Sequence, residues 1–180
     1  MDSFNIHCQW RTAVTAQGSA YNFPNRFTRE FRDKYRRPAI YRWRVLKNAG
    51  ETNEPIYIGE CEDLVQRMQR VLTPAKNSKS TNARVGAILR ELAEAGRYVV
   101  IDVADITRFE LNGHIYGQDT IGDRFKRRAL EQVLLVDAAN DFHFELLNVV
   151  VDSVEKMRAD VARLPPSKLK AILKNRAAGL

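Results

Sequence analysis

The sequence predicts an α+β fold, a small central antiparallel β-sheet flanked by helices, on three observations. The run Ala39-Ile-Tyr-Arg-Trp-Arg-Val45 alternates apolar and polar residues rich in β-formers, and Ile56-Tyr-Ile58 supplies a second short strand after a loop. Leu64, Val65, Met68 and Leu72, and then Val85, Ile88, Leu89 and Leu92, recur at the spacing of one helix face. Asn112-Gly113 stands between strand-like flanks, the pairing that a two-residue hairpin turn prefers because both positions tolerate positive φ.

Taken in order, Asn25 to Arg44 is the most basic stretch, with Arg26, Arg29, Arg32, Lys34, Arg36, Arg37, Arg42 and Arg44 against Glu30 and Asp33. Phe27, Phe31 and Tyr35 recur there at helical spacing, so an amphipathic helix with a positive solvent face is expected, ended by Pro38. The Ala39–Val45 and Ile56–Ile58 strands form a hairpin closed by Gly59. Helices follow over Glu62 to Leu72 and over about Asn82 to Ala95, the second stopped by Gly96, with a polar loop from Thr73 to Thr81 between them. Tyr98 to Val103 is a strand and Phe109 to Tyr116 a hairpin. A helix over about Asp123 to Ala138 turns Phe125, Ala129, Leu130, Val133 and Leu134 inward. Phe142 to Val151 is strand-like, and the C-terminus reads as two helices, Ser153 to Leu164 and Ser167 to Ala177, punctuated by Pro165-Pro166. The 180 residues are expected to form a single domain: a core over 39–150, a basic N-terminal extension over 1–38 and a helical C-terminal extension over 151–180.

Lys and Arg number 29 against 22 Asp and Glu, a formal charge of +7 that concentrates polyanions and directs attention to nucleic acid. Cys8 and Cys61 are too few for a disulfide framework or a zinc site. No signal-peptide pattern and no apolar run of about 18 residues is present, so a soluble, cytoplasmic protein with no membrane partner is expected. His7, His114 and His143 are scattered without ligand spacing.

Ala39-Ile40-Tyr41, then Tyr57-Ile58-Gly59, then Arg67 on the next helix and Glu131 on a later one, resemble the signature of the GIY-YIG nucleases. The resemblance covers roughly Ala39 to Val150. It implies a divalent-metal-dependent endonuclease that hydrolyses DNA phosphodiesters, with a restriction-type role as the first expectation and repair, mobile-element or toxin roles open. It implies Tyr41 as general base, Tyr57 orienting water or phosphate, Arg67 on the phosphate, Glu131 holding Mg²⁺ or Mn²⁺, and Gly59 and Asn148 in support. Two departures stand out: Ala39 replaces the first Gly, and Val71 occupies the position where many members carry a His, so a proton transfer by that His is unavailable.

The same residue types suit that chemistry independently. A guanidinium offers phosphate two parallel donors and stays charged, and a carboxylate suits a hard cation that keeps several waters. Each has a plain alternative: Arg67 paired with Asp63 on its own helix, Glu131 paired with Arg127 or Arg128, and both tyrosines as strand residues with buried rings. Arg32, Arg36, Arg37, Arg42, Arg44, Lys126, Arg127 and Arg128 are the candidate DNA contacts, Arg42 and Arg44 on the strand face opposite Tyr41. Double-stranded DNA is the expected partner, with a homodimer left open. The competing expectation is a non-cleaving nucleic-acid-binding module on the same fold.

Overall fold

The computed structural model describes residues 4–46, 48, 53–76, 78–111, 114–141 and 143–148. The chain divides into two units, 1–147 and 148–180. Of the second, only Asn148 is among the described residues, so the two expected C-terminal helices fall outside them, as do Asn112 and Gly113.

The first unit is α+β. Its strands are β1 (Phe4–Thr12), β2 (Ala39–Val45), β3 (Glu54–Cys61), β4 (Val99–Leu111), β5 (His114–Tyr116) and β6 (Phe144–Leu146). Its helices are α1 (Arg29–Tyr35), α2 (Leu64–Leu72), α3 (Thr81–Glu94) and α4 (Arg124–Asn140), with a 3₁₀ turn at Gln118–Gly122. The sheet order is β1-β4-β2-β3-β6, and β5 folds back on β4. Every pairing is antiparallel except β3 with β6, so the expected antiparallel sheet carries one parallel edge strand and is mixed.

The N-terminus is part of this sheet, not an extension of it. β1 pairs with β4 from Thr12 opposite Asp102 to Phe4 opposite Leu111. Ile6, Cys8 and Trp10 pack against the core, and His7, Gln9 and Arg11 lie between them in sequence, an alternation already visible in the chain. The expected strand at Tyr98–Val103 therefore runs on to Leu111, because β1 lines its second half while β2 pairs with its first.

Strand alternation sorts the side chains onto two faces. On one, Tyr41, Trp43, Val45, Tyr57 and Ile101 are buried, with an aromatic group built from Tyr21, Phe23, Phe27, Phe31 and Tyr35 above Trp43. The ring centroids of Phe23 and Trp43 lie 5.6 Å apart, edge to face, an arrangement the ring quadrupoles favour. On the other face, Ile40, Ile56, Ile58, Ala104 and Ile106 form a core with Leu130, Leu134 and Ala138 of α4.

The expected inward set on α4 is only partly right. Leu130 and Leu134 are buried, but Ala129 is exposed and Phe125 is 83% exposed, while Arg127 is buried at 3%. The inward stripe thus follows 127, 130, 134 and 138, and a carboxylate acceptor for Arg127, Glu60, allows a charged residue into it. Val71 is buried where α2 meets α3; a Cβ on Gly86 of α3 would strike its carbonyl oxygen. A side chain at that position packs between helices.

Candidate active site at the open edge of a strand

β6 pairs with β3 at Glu54–Ile56, and among the described residues β3 from Tyr57 to Cys61 has no strand neighbour on that side. Edge peptides need partners, and two distant side chains supply them at Glu60. Arg67 of α2 donates from Nη2 to the Glu60 carbonyl at 3.0 Å, and Glu131 of α4 accepts from the Glu60 backbone N–H. Arg67 also donates from Nη1 to Asn82 Oδ1 at 2.9 Å, which fixes the guanidinium between α2, α3 and β3.

The plain alternative for Arg67 does not hold: the Asp63 carboxylate instead caps α2, accepting from the Gln66 N–H at 2.9 Å. Burial opposes the Arg67 charge, but Tyr41, Cys61, Tyr57 and Glu60 outweigh it and hold the guanidinium above its ordinary pKa. Glu131 is half-buried, and its carboxyl is raised from the usual range by burial first and by the Glu60 charge second, against the pull of the Glu60 N–H, Arg67 and Arg128.

Tyr41 and Tyr57 lie behind this pair, their ring centroids 6.5 Å apart. Tyr41 stands opposite Gly59 in the β2–β3 register and its ring leans over it; a Cβ on Gly59 would come within 2.7 Å of the Tyr41 Oη and 3.1 Å of a Tyr57 ring carbon. Gly59 is thus required by close approach, not by turn geometry. Tyr41 is buried at 1%, and burial first, then Tyr57, push its phenol well above the usual value despite Arg67. With no further cation beside it the phenol keeps its proton, so use as a general base needs a neighbouring charge that lowers it.

In front of the pair opens a cleft of about 320 Å³, lined by Glu60 to Asp63, Gln66, Arg67, Arg70, Arg124, Arg127 and Arg128. Arg70 and Arg124 were not foreseen as site residues, although Arg70 follows Arg67 by three on α2 and Arg124 opens the helix of Glu131. Glu60 was also missed: its carboxylate pairs with Arg127 at 2.7 Å and Arg128 at 3.6 Å.

Several expected DNA contacts have structural duties. Arg127 gives Nε to Glu60 and Nη1 to the Ile121 and Gly122 carbonyls, tying α4 to the 3₁₀ turn. Arg42 and Arg44 share the Asp102 carboxylate at 2.8 and 3.0 Å, with Thr12 as a third donor. Arg44 also reaches Glu54, and Arg42 stacks 4.6 Å from the Trp10 ring centroid. These three are held by carboxylates as part of the framework, and Arg127 is buried. Arg32, Arg36, Arg37, Lys126 and Arg128 are exposed, with Lys126 over the Tyr116 ring.

Among the described residues no group of three or more His, Cys, Asp or Glu is placed to hold a metal ion. The donor chemistry instead fits a cation bound by one carboxylate, waters and substrate phosphate. Glu131 carries a charge that burial and Glu60 both disfavour, which a divalent cation would relieve. No helix among the described residues is long and apolar enough to cross a membrane. Comparisons with protein-family models, curated proteins and solved structures returned no match.

Proposed function

We propose that the chain is a divalent-metal-dependent endonuclease of the GIY-YIG type, hydrolysing DNA phosphodiesters in the cleft beside β3. The observation that carries the reading is the convergence of Arg67 and Glu131 on the Glu60 main chain, with Tyr41 and Tyr57 packed against Gly59 behind them. A half-buried guanidinium tethered to the Glu60 carbonyl and to Asn82 is pre-organised to neutralise the non-bridging oxygens of a phosphate without further rearrangement. Glu131 would hold Mg²⁺ or Mn²⁺, which supplies charge neutralisation and an acidified bound water. Tyr41 acts as a neutral phenol that braces Tyr57, and Tyr57 orients water or phosphate. Arg70, Arg124 and Arg128 rim the cleft and meet the DNA backbone. Incubation with plasmid, branched and single-stranded DNA, with Mg²⁺ or Mn²⁺ and with EDTA, tests this; metal-dependent nicking lost in EDTA supports it, and intact DNA under every condition rejects it.

A second reading draws on the proton-holding Tyr41: a module that grips nucleic acid in the same basic cleft without cutting it. Retarded but uncut DNA, indifferent to EDTA, would favour that reading.

A further inference from the structure

Among the described residues no large apolar side chain is more exposed than Phe125, at 83%. It belongs to neither core, and a charged or long polar residue would serve an exposed first helical turn better than a phenyl ring. Its position is specific. Arg124, Arg128 and Glu131 form the column of α4 that faces the cleft, and Phe125 is three residues before Arg128, on the adjoining column at the rim. Asp123 caps this turn, accepting from the Phe125 and Lys126 N–H groups at 2.8 and 3.0 Å, so the backbone that carries the ring is fixed. At 3.6 residues per turn Phe125 stands roughly 60° round the helix beyond Arg128, on the side away from the buried stripe. Lys126 is drawn aside, 4.7 Å from the Tyr116 ring centroid.

A solvent-facing π-face next to Arg128, on the helix whose Arg124 and Arg128 line the cleft, matches a ligand that presents a flat apolar ring attached to phosphates. An apolar protein partner would have to desolvate the same cations. We propose that Phe125 stacks on an unstacked nucleobase at the mouth of the cleft, so that the chain selects nucleic acid with a base out of its stack beside the bound phosphate. This rests on the nuclease reading for the identity of the polyanion, and it adds a residue that determines which DNA is taken.

The test uses the full chain, Phe125→Ala and Phe125→Trp, with three probes carrying 2-aminopurine: a single strand, an intact duplex, and the same duplex with the base mispaired. Phe125 is exposed, so both variants keep the wild-type circular dichroism and melting profile. The expected result is a fluorescence rise on binding wild type and Phe125→Trp, absent with Phe125→Ala. Affinity of Phe125→Ala for the single strand and mispaired duplex falls about tenfold or more, the scale of losing one base–aromatic stack. A rise with the intact duplex too assigns the base to helix opening by the protein; a rise with the other two alone assigns it to DNA already unpaired. Equal affinity and equal fluorescence for wild type and Phe125→Ala, while wild type binds and cuts, overturn the stacking role alone. No binding of any probe by wild type overturns the nuclease reading and this inference together.

Discussion

Arg67 and Glu131 are joined through one residue of the sheet: the guanidinium takes the Glu60 carbonyl and the carboxylate takes the Glu60 N–H. α2 and α4 are thereby pinned to the same point on the open edge of β3, and the two groups offered for phosphate and cation share one rigid support. The Glu60 side chain extends the linkage, pairing with Arg127 and Arg128 on α4. In the proposed hydrolysis such positioning would be worth large factors in rate, and the main chain supports it.

Arg67→Ala is expected to slow single-turnover cleavage by about a hundredfold or more at saturating DNA and metal, with a much smaller loss of affinity, as on removal of one oxyanion donor. Arg67→Lys recovers part of the rate, since an ammonium keeps charge but loses the planar fork. Asn82→Ala frees one side of the guanidinium and costs less than Arg67→Ala, in rate more than in affinity. Equal rates for Arg67→Ala and wild type would sink the site as described.

Glu131→Gln should abolish cleavage and also change stability, which can be read without any activity. The raised carboxyl means the folded chain holds this proton more tightly than the unfolded one. Its contribution is therefore fully present below the unfolded value of 4.5 and lost as pH rises through the raised folded value. Glu131→Gln removes that loss, so at about pH 7 without metal the variant melts higher than wild type, and the gain shrinks near the unfolded value. Mg²⁺ raises the wild-type Tm and leaves that of Glu131→Gln in place. A Tm order reversed at neutral pH counts against the assigned environment of Glu131.

Asp102 is the electrostatic anchor of the sheet face opposite Tyr41, 1% exposed among Arg42, Arg44 and Thr12. Burial raises its carboxyl, but the hydrogen bonds from Arg42 and Thr12 and the charges of Arg44 and Arg42 outweigh this and hold it below the ordinary 3.8. The stability it gives is thus present above 3.8 and lost as pH falls through the lowered folded value. Asp102→Ala leaves two arginines facing a void and should cost about 3–5 kcal/mol in urea unfolding at neutral pH. Asp102→Asn, which keeps shape and one acceptor, costs less. An unchanged urea midpoint for Asp102→Ala would show the cluster to be dispensable.

The exposed Arg32, Arg36 and Arg37 on and after α1 remain the test of a wider DNA track. Replacing all three with Ala should weaken binding about equally across DNA sequences and flatten the dependence of log affinity on log salt, each lost phosphate contact removing about 0.9 from the slope. The comparison to make is wild type against the triple variant over a salt series. Superimposable plots would leave this segment as a solvated face.

By itself the sequence determined the α+β class, the β2–β3 hairpin, the extents of α2 and α3 to within two residues, and Arg67 and Glu131 as the residues to watch. Those follow from local rules: period-two and period-3.6 apolar patterns, breakers, and spacing within one element. What tertiary structure decided is everything that depends on a partner from far along the chain. Arg42, Arg44 and Arg127 read as candidate DNA contacts, and only the fold places Asp102 of β4 beside the first two and Glu60 of β3 beside the third. Phe125 read as core until the pairing of Arg127 with Glu60 set the rotation of α4 about its axis. Tyr41 read as a general base, and only the fold shows the burial that a neighbouring cation would have to overcome. A side chain's charge state and orientation are set by what desolvates it and what answers its charge, and neither is encoded within reach of its own element.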